Sequence, residues 1–377
     1  MDGFIKSSDV IERKIFDGTE RVLQGKISLV LFDVTTLSFE TISEDDLRAF
    51  GFSKDFKFNT TQVVLALATT KEGLPVGYRL FPGNTAESKT LIASIEAWKN
   101  HIPIEEVTVV GDRAMMSEAN LSALEAAGFT YVVAFPLKKL TKKHQALVLD
   151  KECYHSWSGD EEISRYRILE LGQRNLVVSF SQKRAMKDQK DRERAVNKLE
   201  KKLSTCKDAK RLINTKGYLK YTAVSGQATA SINQEKIAQE AQWDGLHGVI
   251  TNREVTECNV YQDYRRLWII EESFRINKHN LKMRPIYHFT PRRIQAHILI
   301  CYMAFTLVRH VQYHLNKTNN AMSVKRIIEA LRNVQASILK DVTSNKSHRM
   351  LSSLSDDARI IYENFGVQQS KAVAQVS

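Results

Sequence analysis

Hydrophobic and polar positions alternate with different periods along the chain, and the first break in the pattern is an acid. Around the stretch LVLFDVTTL (29–37), Ile27, Leu29 and Leu31 fall on one face by two-residue alternation, and Asp33 falls on the same face. A carboxylate among apolar neighbours is costly without a partner, and a backbone cap, an arginine or a metal ion could serve. The pattern predicts a strand over Lys26–Val34, preceded by one helix in the polar stretch before Gly25. A hairpin is predicted over Thr61–Phe81, with its turn at Lys71-Glu72-Gly73 and its second strand from Pro75. After the turn PGNTAES, where Asn84 and Thr85 serve turn chemistry, Leu91, Ile92, Ile95 and Trp98 recur at helical spacing. A strand over Glu106–Asp112 ends on a second acid. Ser117 is placed to cap a helix carrying Leu121 and Leu124 and closing at Gly128, and Thr130–Phe135 is the next strand.

A hairpin followed by alternating helix and strand predicts a mixed α+β domain, with helices packed on one mixed sheet. Two strand-terminal aspartates, Asp33 and Asp112, can converge at one edge of such a sheet. The character changes after residue 135. LKKLTKKH (137–144) is basic, and Ser164–Leu171 and Leu176–Ser181 read as strands around Gly172. Lys183–Leu203 reads as a charged helix with a thin seam of Val196, Leu199 and Leu203. A solvated face with ion pairs at helical spacing is the plainer reading of it than a DNA-reading helix. Tyr218–Gly226 and Trp243–Asn252 are further strand-like segments, so residues 136–252 read as a β-rich insertion. The last third is helical: one long helix over Tyr261–Pro285, a second opened by Thr290 and Pro291 and running to Leu315, a weaker one over Ser323–Leu339, and a polar tail after Val342.

Charge narrows the function. The 377 residues carry 55 Lys+Arg against 43 Asp+Glu, a formal net charge of +12. That excess favours a polyanionic partner, most simply nucleic acid. A hydrophobic share of 43% supports a real core and excludes wholesale disorder. Cys153, Cys206, Cys258 and Cys301 are scattered, with no CxxC and no histidine pair at zinc spacing, as expected of reduced thiols in a cytoplasmic protein. No signal-peptide pattern opens the sequence. The apolar run Ile294–Val308 is interrupted by His297 and closed by Arg309-His310, which predicts a buried helix and no membrane span.

A third acid joins the two aspartates. Tyr264, Leu267, Glu271 and Lys278 are spaced by three, four and seven, which keeps them on one face of the predicted helix near Phe274 and Arg275. Glu272 is rotated about 100° away. Alone, this is an ordinary amphipathic helix. With Asp33 and Asp112, Glu271 makes a three-carboxylate set without Cys or His, and all-oxygen ligation suits Mg2+ or Mn2+. In a basic chain such a set fits two-metal phosphoryl transfer on nucleic acid.

Taken together, LFDVTTLSFE, GFSKDFKFNTTQVVLALATTKEGLPVGYRLFPGNTAESKTL, VTVVGDRAMMSEANLSAL, WDGLHGVITN and YRRLWIIEESFRINKHNLKMRPIYHFTPRRIQAHILICYMAF resemble the DDE transposases of the IS4 superfamily, in particular its IS1634-like group of bacterial insertion sequences. The resemblance runs from about Ser28 to Leu315. It implies an RNase H-like catalytic core in which Asp33, Asp112 and Glu271 are the catalytic acids and bind two Mg2+ (or Mn2+) ions. It also implies a β-strand insertion between the second aspartate and the glutamate, with cleavage at the ends of a mobile element followed by joining of the freed 3′-OH to target DNA. Of the superfamily pattern Y-x2-R-x3-E-x6-K, Tyr264, Glu271 and Lys278 match, and the arginine position is Leu267. Arg265, Arg266 or Arg275 could take that arginine's place.

Tyr264 and Lys278 are then expected to position a DNA phosphate. Arg113 is a weaker candidate, equally readable as a surface or structural ion pair. Trp243 could stack on an exposed base, although a core tryptophan is the plainer reading. Members of the superfamily carry a larger DNA-binding region before the first aspartate, whereas 32 residues precede Asp33 here. The expected organisation is a short N-terminal segment (1–25), a core over 26–135 and 253–316, the insertion over 136–252, and C-terminal helices and tail over 317–377. The expected partners are double-stranded DNA and a second copy of the chain in a synaptic complex. A truncated DNA-binding remnant and a generic RNase H-like nuclease are the competing readings.

Overall fold

The apolar run around Leu31 forms a longer strand than its alternation predicts. In the computed structural model of the chain, β1 spans Leu29–Ser38, so Asp33 lies in mid-strand and not at a strand end. Its antiparallel neighbour is the reason: β2 (Gln62–Thr70) pairs with β1 from Val30 through to Ser38. The structure describes residues 1–24, 27–52, 59–99, 108–113, 117–157, 162–205, 217–225, 229–255, 259–340, 347–368 and 373–376. Lys26, Glu106, Cys206, Gly226, Cys258 and Val342, each part of an expectation above, lie outside them. The chain divides into two compact units, Met1–Thr130 with Arg266–Ser377, and Tyr131–Arg265.

In the first unit, two helices rather than one precede the sheet, α1 (Asp2–Lys6) and α2 (Ser8–Leu23). The hairpin forms as predicted: β3 (Pro75–Pro82) returns antiparallel along β2. The following turn is closed by Thr85 N–H donating to the Pro82 carbonyl. β4 (Thr108–Gly111) pairs in parallel with β1. The order β3-β2-β1-β4 is an antiparallel meander extended by a parallel strand, as in an RNase H-like core.

Register assigns the two faces of this sheet. Phe32, Ala68 and Gly77 are lateral partners. Phe32 meets the Trp98 ring edge-on at 6.0 Å, and a Cβ on Gly77 would strike the same ring. Helix α3 (Glu87–Lys99), which carries Trp98, therefore covers the Phe32 face. Helix α4 (Glu118–Ala126) is capped as predicted, with Ser117 Oγ accepting from the Asn120 N–H. Asp33, Leu67 and Tyr78 are the lateral partners on the opposite face.

The second unit is a run of antiparallel strands in the order β5 (Thr130–Phe135), β11 (Leu246–Thr251), β8 (Arg174–Phe180), β7 (Arg165–Leu171) and β6 (His155–Ser156). A separate hairpin pairs β9 (Thr222–Ser225) with β10 (Thr229–Ile232). Helices α5 (Lys142–Leu149), α6 (Gln182–Thr205) and α7 (Gln234–Ala241) accompany them. Helix α6 behaves as a solvated charged helix: Leu199 is its buried residue, and Asp191 pairs with Arg194 and Asp244 with Arg192. Trp243 is half-buried against the apolar cluster of Leu137, Leu140, Val148, Leu176 and Val178. A lysine ammonium, Lys138 Nζ, lies 5.9 Å over its ring.

The helix expected over Tyr261–Pro285 is three pieces: α8 (Asn259–Arg265), α9 (Leu267–Arg275) and a π-helical turn, Ile276–Asn280. Arg266 flattens to ψ −8 at the first break. At the second, Ser273 Oγ donates to the Ile269 carbonyl at 2.8 Å and Asn277 Nδ2 to the Ser273 carbonyl at 2.9 Å, side-chain bonds that compete with the helical ladder. Helix α10 (Pro291–Lys317) starts at Pro291 as predicted. It is long and apolar enough to span a membrane, yet Ile294, Ile298, Leu299, Tyr302 and Phe305 are buried in the first unit. Tyr302 packs on Tyr78 at 4.7 Å between ring centres, which puts α10 on the Asp33 face of the sheet.

The C-terminal part departs from its expectation. Helix α11 (Val324–Arg332) ends before Ala336, where β12 (Ala336–Lys340) begins. With β13 (Ser347–Leu351) and β14 (Val373–Val376) it makes a small antiparallel sheet, where a helix to Leu339 and a polar tail were expected. Ile327 and Ala330 of α11 pack with Ala358 and Ile361 of α12 (Asp356–Asn364) and with Leu315, and this contact orders the tail.

Candidate active site

Every residue of β1 is buried except Asp33, which is half-buried. The parallel ladder matches Leu29 with Thr108, Val30 with Val109 and Leu31 with Val110. Continued two residues further, the same register sets Asp33 beside Asp112, which directly follows β4. Adjacent strands run about 4.8 Å apart, so on that continuation the two positions stand level on neighbouring strands. One oxygen of Asp33 is held locally, Oδ1 accepting from the Val34 N–H at 2.7 Å. Two residues along, on the Asp33 face, Thr35 Oγ1 accepts from Lys278 Nζ at 2.7 Å. Lys278 thus brings a positive charge onto the face that carries the aspartate.

Glu271 and Glu272 are separated by what α9 buries. Leu267, Ile269, Ile270, Ser273 and Phe274 face inward. At 100° per residue the outward side holds Trp268, Glu271 and Arg275, all exposed. Glu271 is therefore at the solvent face, whereas the spacing places it among apolar and aromatic neighbours; the inward side of α9 is set by packing. Glu272 turns towards α10 and pairs with the buried Arg309 at 3.3 Å. The π turn breaks the heptad relation of Glu271 to Lys278, and Lys278 reaches β1 instead of sharing Glu271's exposure.

Extended by two residues, the β1–β4 register sets Asp33 level with Asp112, and Glu271 stands on a helix packed against β1. Among the described residues no three acidic, histidine or cysteine side chains meet as a ready-made cation site. The donor set is nonetheless all carboxylate oxygen, which fits a hard divalent cation and no soft one.

The remaining predicted residues are placed as follows. Arg113 is exposed directly after Asp112. Arg275 is exposed and pairs with Glu272 at 3.4 Å. Leu267, at the motif's arginine position, is buried in α9, and an apolar residue there serves the core. Of its replacements, Arg265 is engaged by Glu162 at 3.0 Å. Tyr264 lies in the second unit, in a ring cluster with His247 (5.0 Å) and Tyr261 (6.1 Å). Burial pushes the His247 imidazole down to about 4, with Arg184 adding to the effect. Thr35 and Arg309 were missed in the sequence. Thr35 had a signal, since it follows Asp33 on the same face; Arg309 had none, because its partners are distant in the chain.

An antiparallel meander with a parallel fourth strand, two acids matched across it and a glutamate on a covering helix define the architecture of a DDE-type core. The model of the transposase DDE domain family matches residues 24–307, and the chain belongs to this family. No curated protein matches the chain. Among solved structures, the chain is similar to a piggyBac transposase in a synaptic complex with hairpin DNA, at 7% identity and a TM-score of 0.46, over 81% of this chain and 52% of that one. It is also similar to the Mos1 transposase in a paired-end complex with the left transposon end, at 15% identity and a TM-score of 0.21, over 32% of this chain and 39% of that one. The chain spans about half the length of the piggyBac chain it matches.

Proposed function

We propose that the chain carries the catalytic domain of a bacterial insertion-sequence transposase, of the IS1634-like group within the IS4 superfamily, which cuts and joins DNA by phosphoryl transfer. The observation that supports this reading is the register of β1 on β4, with Asp33 beside Asp112 and Lys278 bonded to Thr35 two residues away. Asp33, Asp112 and Glu271 would hold Mg2+ or Mn2+. A pair of such ions, when bound, supplies Lewis-acid stabilisation of the attacking and leaving oxygens of an in-line displacement. Lys278, anchored at the sheet, holds a phosphate oxygen beside the acids, and Arg113 and Arg275 offer further phosphate contacts from exposed positions.

In cleavage, a water oxygen bonds to phosphorus and the 3′-oxygen leaves with a proton. In joining, that 3′-OH attacks a target phosphodiester and one phosphate ester replaces another, so no external energy source is needed. A second copy of the chain pairs the two element ends, and the protein acts in the cytoplasm on double-stranded DNA. The β-rich unit Tyr131–Arg265 is the insertion of this core, and its basic surface follows the DNA backbone. The test is Mg2+-dependent strand cleavage of the DNA that flanks the gene, with wild type beside Asp33→Asn and Asp112→Asn. Specific nicks lost in both variants support the reading. Equal cutting by all three proteins sinks the assignment of the acids, and preferential cutting of RNA–DNA hybrids makes the protein a general nuclease.

A further inference from the structure

Between Lys278 and α10 the chain forms a short connection, 281–290, whose alternation runs against burial. Met283 and Ile286 are buried, 2% and 7% exposed, while Tyr287 and Phe289 are 76% and 67% exposed. The connection is pinned from within: Met283 N–H donates to the Asn277 carbonyl at 3.0 Å, and His297 of α10 meets the Met283 carbonyl at 3.2 Å. Two aromatic side chains are thus held out on an anchored backbone, so little ordering entropy is lost when something stacks on them.

Along the chain the charge beside them is of one sign. No acidic residue occurs between Glu272 and Glu329, while Lys282, Arg284, Arg292 and Arg293 flank the two rings in the chain. Arg292 and Arg293 occupy the first turn of α10, which contains no acid. Cations there oppose the helix dipole, and an anion at that end reduces the cost of the placement. A second copy of this strongly basic chain is a poor occupant for such a surface. A polyanion with flat apolar faces fits both features.

We infer that Tyr287 and Phe289 form a stacking platform for unpaired bases of the DNA strand whose phosphate reaches Lys278, with Lys282, Arg284, Arg292 and Arg293 tracking the flanking phosphates. The inference rests on the transposase reading for its substrate. Tyr287 follows Lys278 by nine positions, and a chain of that length spans at most roughly 30 Å, about nine nucleotide rises along one strand. The platform therefore lies within reach of the same strand whose phosphate is held at Lys278.

The experiment is fluorescence anisotropy with labelled single-stranded oligonucleotides, matched duplexes and duplexes carrying unpaired terminal bases, in EDTA so that no cutting occurs. Tyr287→Ala and Phe289→Ala should each lose roughly five-fold or more in affinity for unpaired strands and little for the closed duplex. Tyr287→Phe and Phe289→Tyr, which keep a ring, should restore binding, and circular dichroism of the alanine variants should match wild type. Equal losses on paired and unpaired DNA, or no loss, overturn the platform. So does a change of oligomeric state in the alanine variants, or their loss of binding to phosphatidylserine vesicles with single-strand affinity unchanged. Ring-dependent strand binding in a protein that never cleaves would uphold the platform while the transposase reading fell. Cleavage that persists with ring-independent binding would do the reverse.

Discussion

Glu272 of α9 and Arg309 of α10 form an ion pair at 3.3 Å, with the arginine side chain only 6% exposed. Arg309 Nε also donates to the Gly73 carbonyl at 2.9 Å, and Nη1 donates to Gln312 Oε1 at 2.8 Å. Burial lowers the arginine's pKa, and Glu272 opposes that shift. Removing the glutamate leaves a buried cation short of its counter-charge. Glu272→Gln is expected to cost about 2–3 kcal/mol, less than for a fully dry pair because Glu272 keeps some solvent. Glu271→Gln, at an exposed position, is expected to change stability by less than about 0.5 kcal/mol while abolishing strand cleavage. Calorimetry of both variants beside the nicking assay decides it, and a melting loss in Glu271→Gln with activity retained would exchange their roles.

Gly73 closes the β2–β3 hairpin at φ +79, and a Cβ there would fall inside the Arg309 guanidinium. Gly73→Ala therefore combines left-handed backbone strain with displacement of a buried charge, and a loss of about 3 kcal/mol is expected. In an Arg309→Ala background the guanidinium clash is gone, and the same change should cost the backbone share plus a small adjustment of Ile269, whose Cγ2 lies 3.0 Å from such a Cβ, about 1–2 kcal/mol in all. Urea unfolding of the four proteins of this cycle measures the difference. Additive losses would show that Gly73 and Arg309 do not constrain each other.

Local signals in the sequence were reliable where the physics is local. The hairpin turn at Gly73, the Ser117 cap, the Pro291 helix start and the Thr130–Phe135 strand all appear where chain-neighbour chemistry puts them. The length of β1 was not legible, because it is set by pairing with β2, some thirty residues on. The face of α9 was not legible either: spacing gave a stripe through Leu267 and Glu271, but the inward side is chosen by packing and by Arg309, 37 residues beyond Glu272. The break after α9 depends on side-chain bonds from Ser273 and Asn277 that no hydrophobic period reports. β12 is exposed at every position, so it left no alternation of burial to read.

His247 titrates against the fold of the second unit. It meets Tyr261 at 5.3 Å and Tyr264 at 5.0 Å, and its Nδ1 is buried with no hydrogen-bond partner among the described residues. Its folded pKa, about 4, lies below the ordinary histidine value of 6.5 because burial disfavours the imidazolium. The neutral ring's contribution is complete above pH 6.5 and is lost as pH falls towards 4, up to about 3 kcal/mol. Denaturant midpoints at pH 8, 6 and 4.5 should fall in wild type, and His247→Phe should flatten part of that fall. An unchanged acid slope in the variant would show that His247 does not carry it.

Glu12 of α2 produces the opposite slope in the first unit. It pairs with Arg79 of β3 at 3.0 Å, yet burial outweighs the arginine and pushes the carboxyl from 4.5 up to about 7. A raised carboxyl pKa means that the folded state favours the protonated form. The contribution is therefore complete below pH 4.5 and is lost as pH rises to 7, after which ionised Glu12 costs up to about 3 kcal/mol. Glu12→Gln keeps the shape and one acceptor for Arg79 but cannot ionise. Relative to wild type it should gain stability between pH 5 and pH 8, with most of the gain above pH 7, where wild type carries the buried charge. A gain that is the same at both pH values would mean that Glu12 is ionised throughout, and that Arg79, not burial, sets its charge.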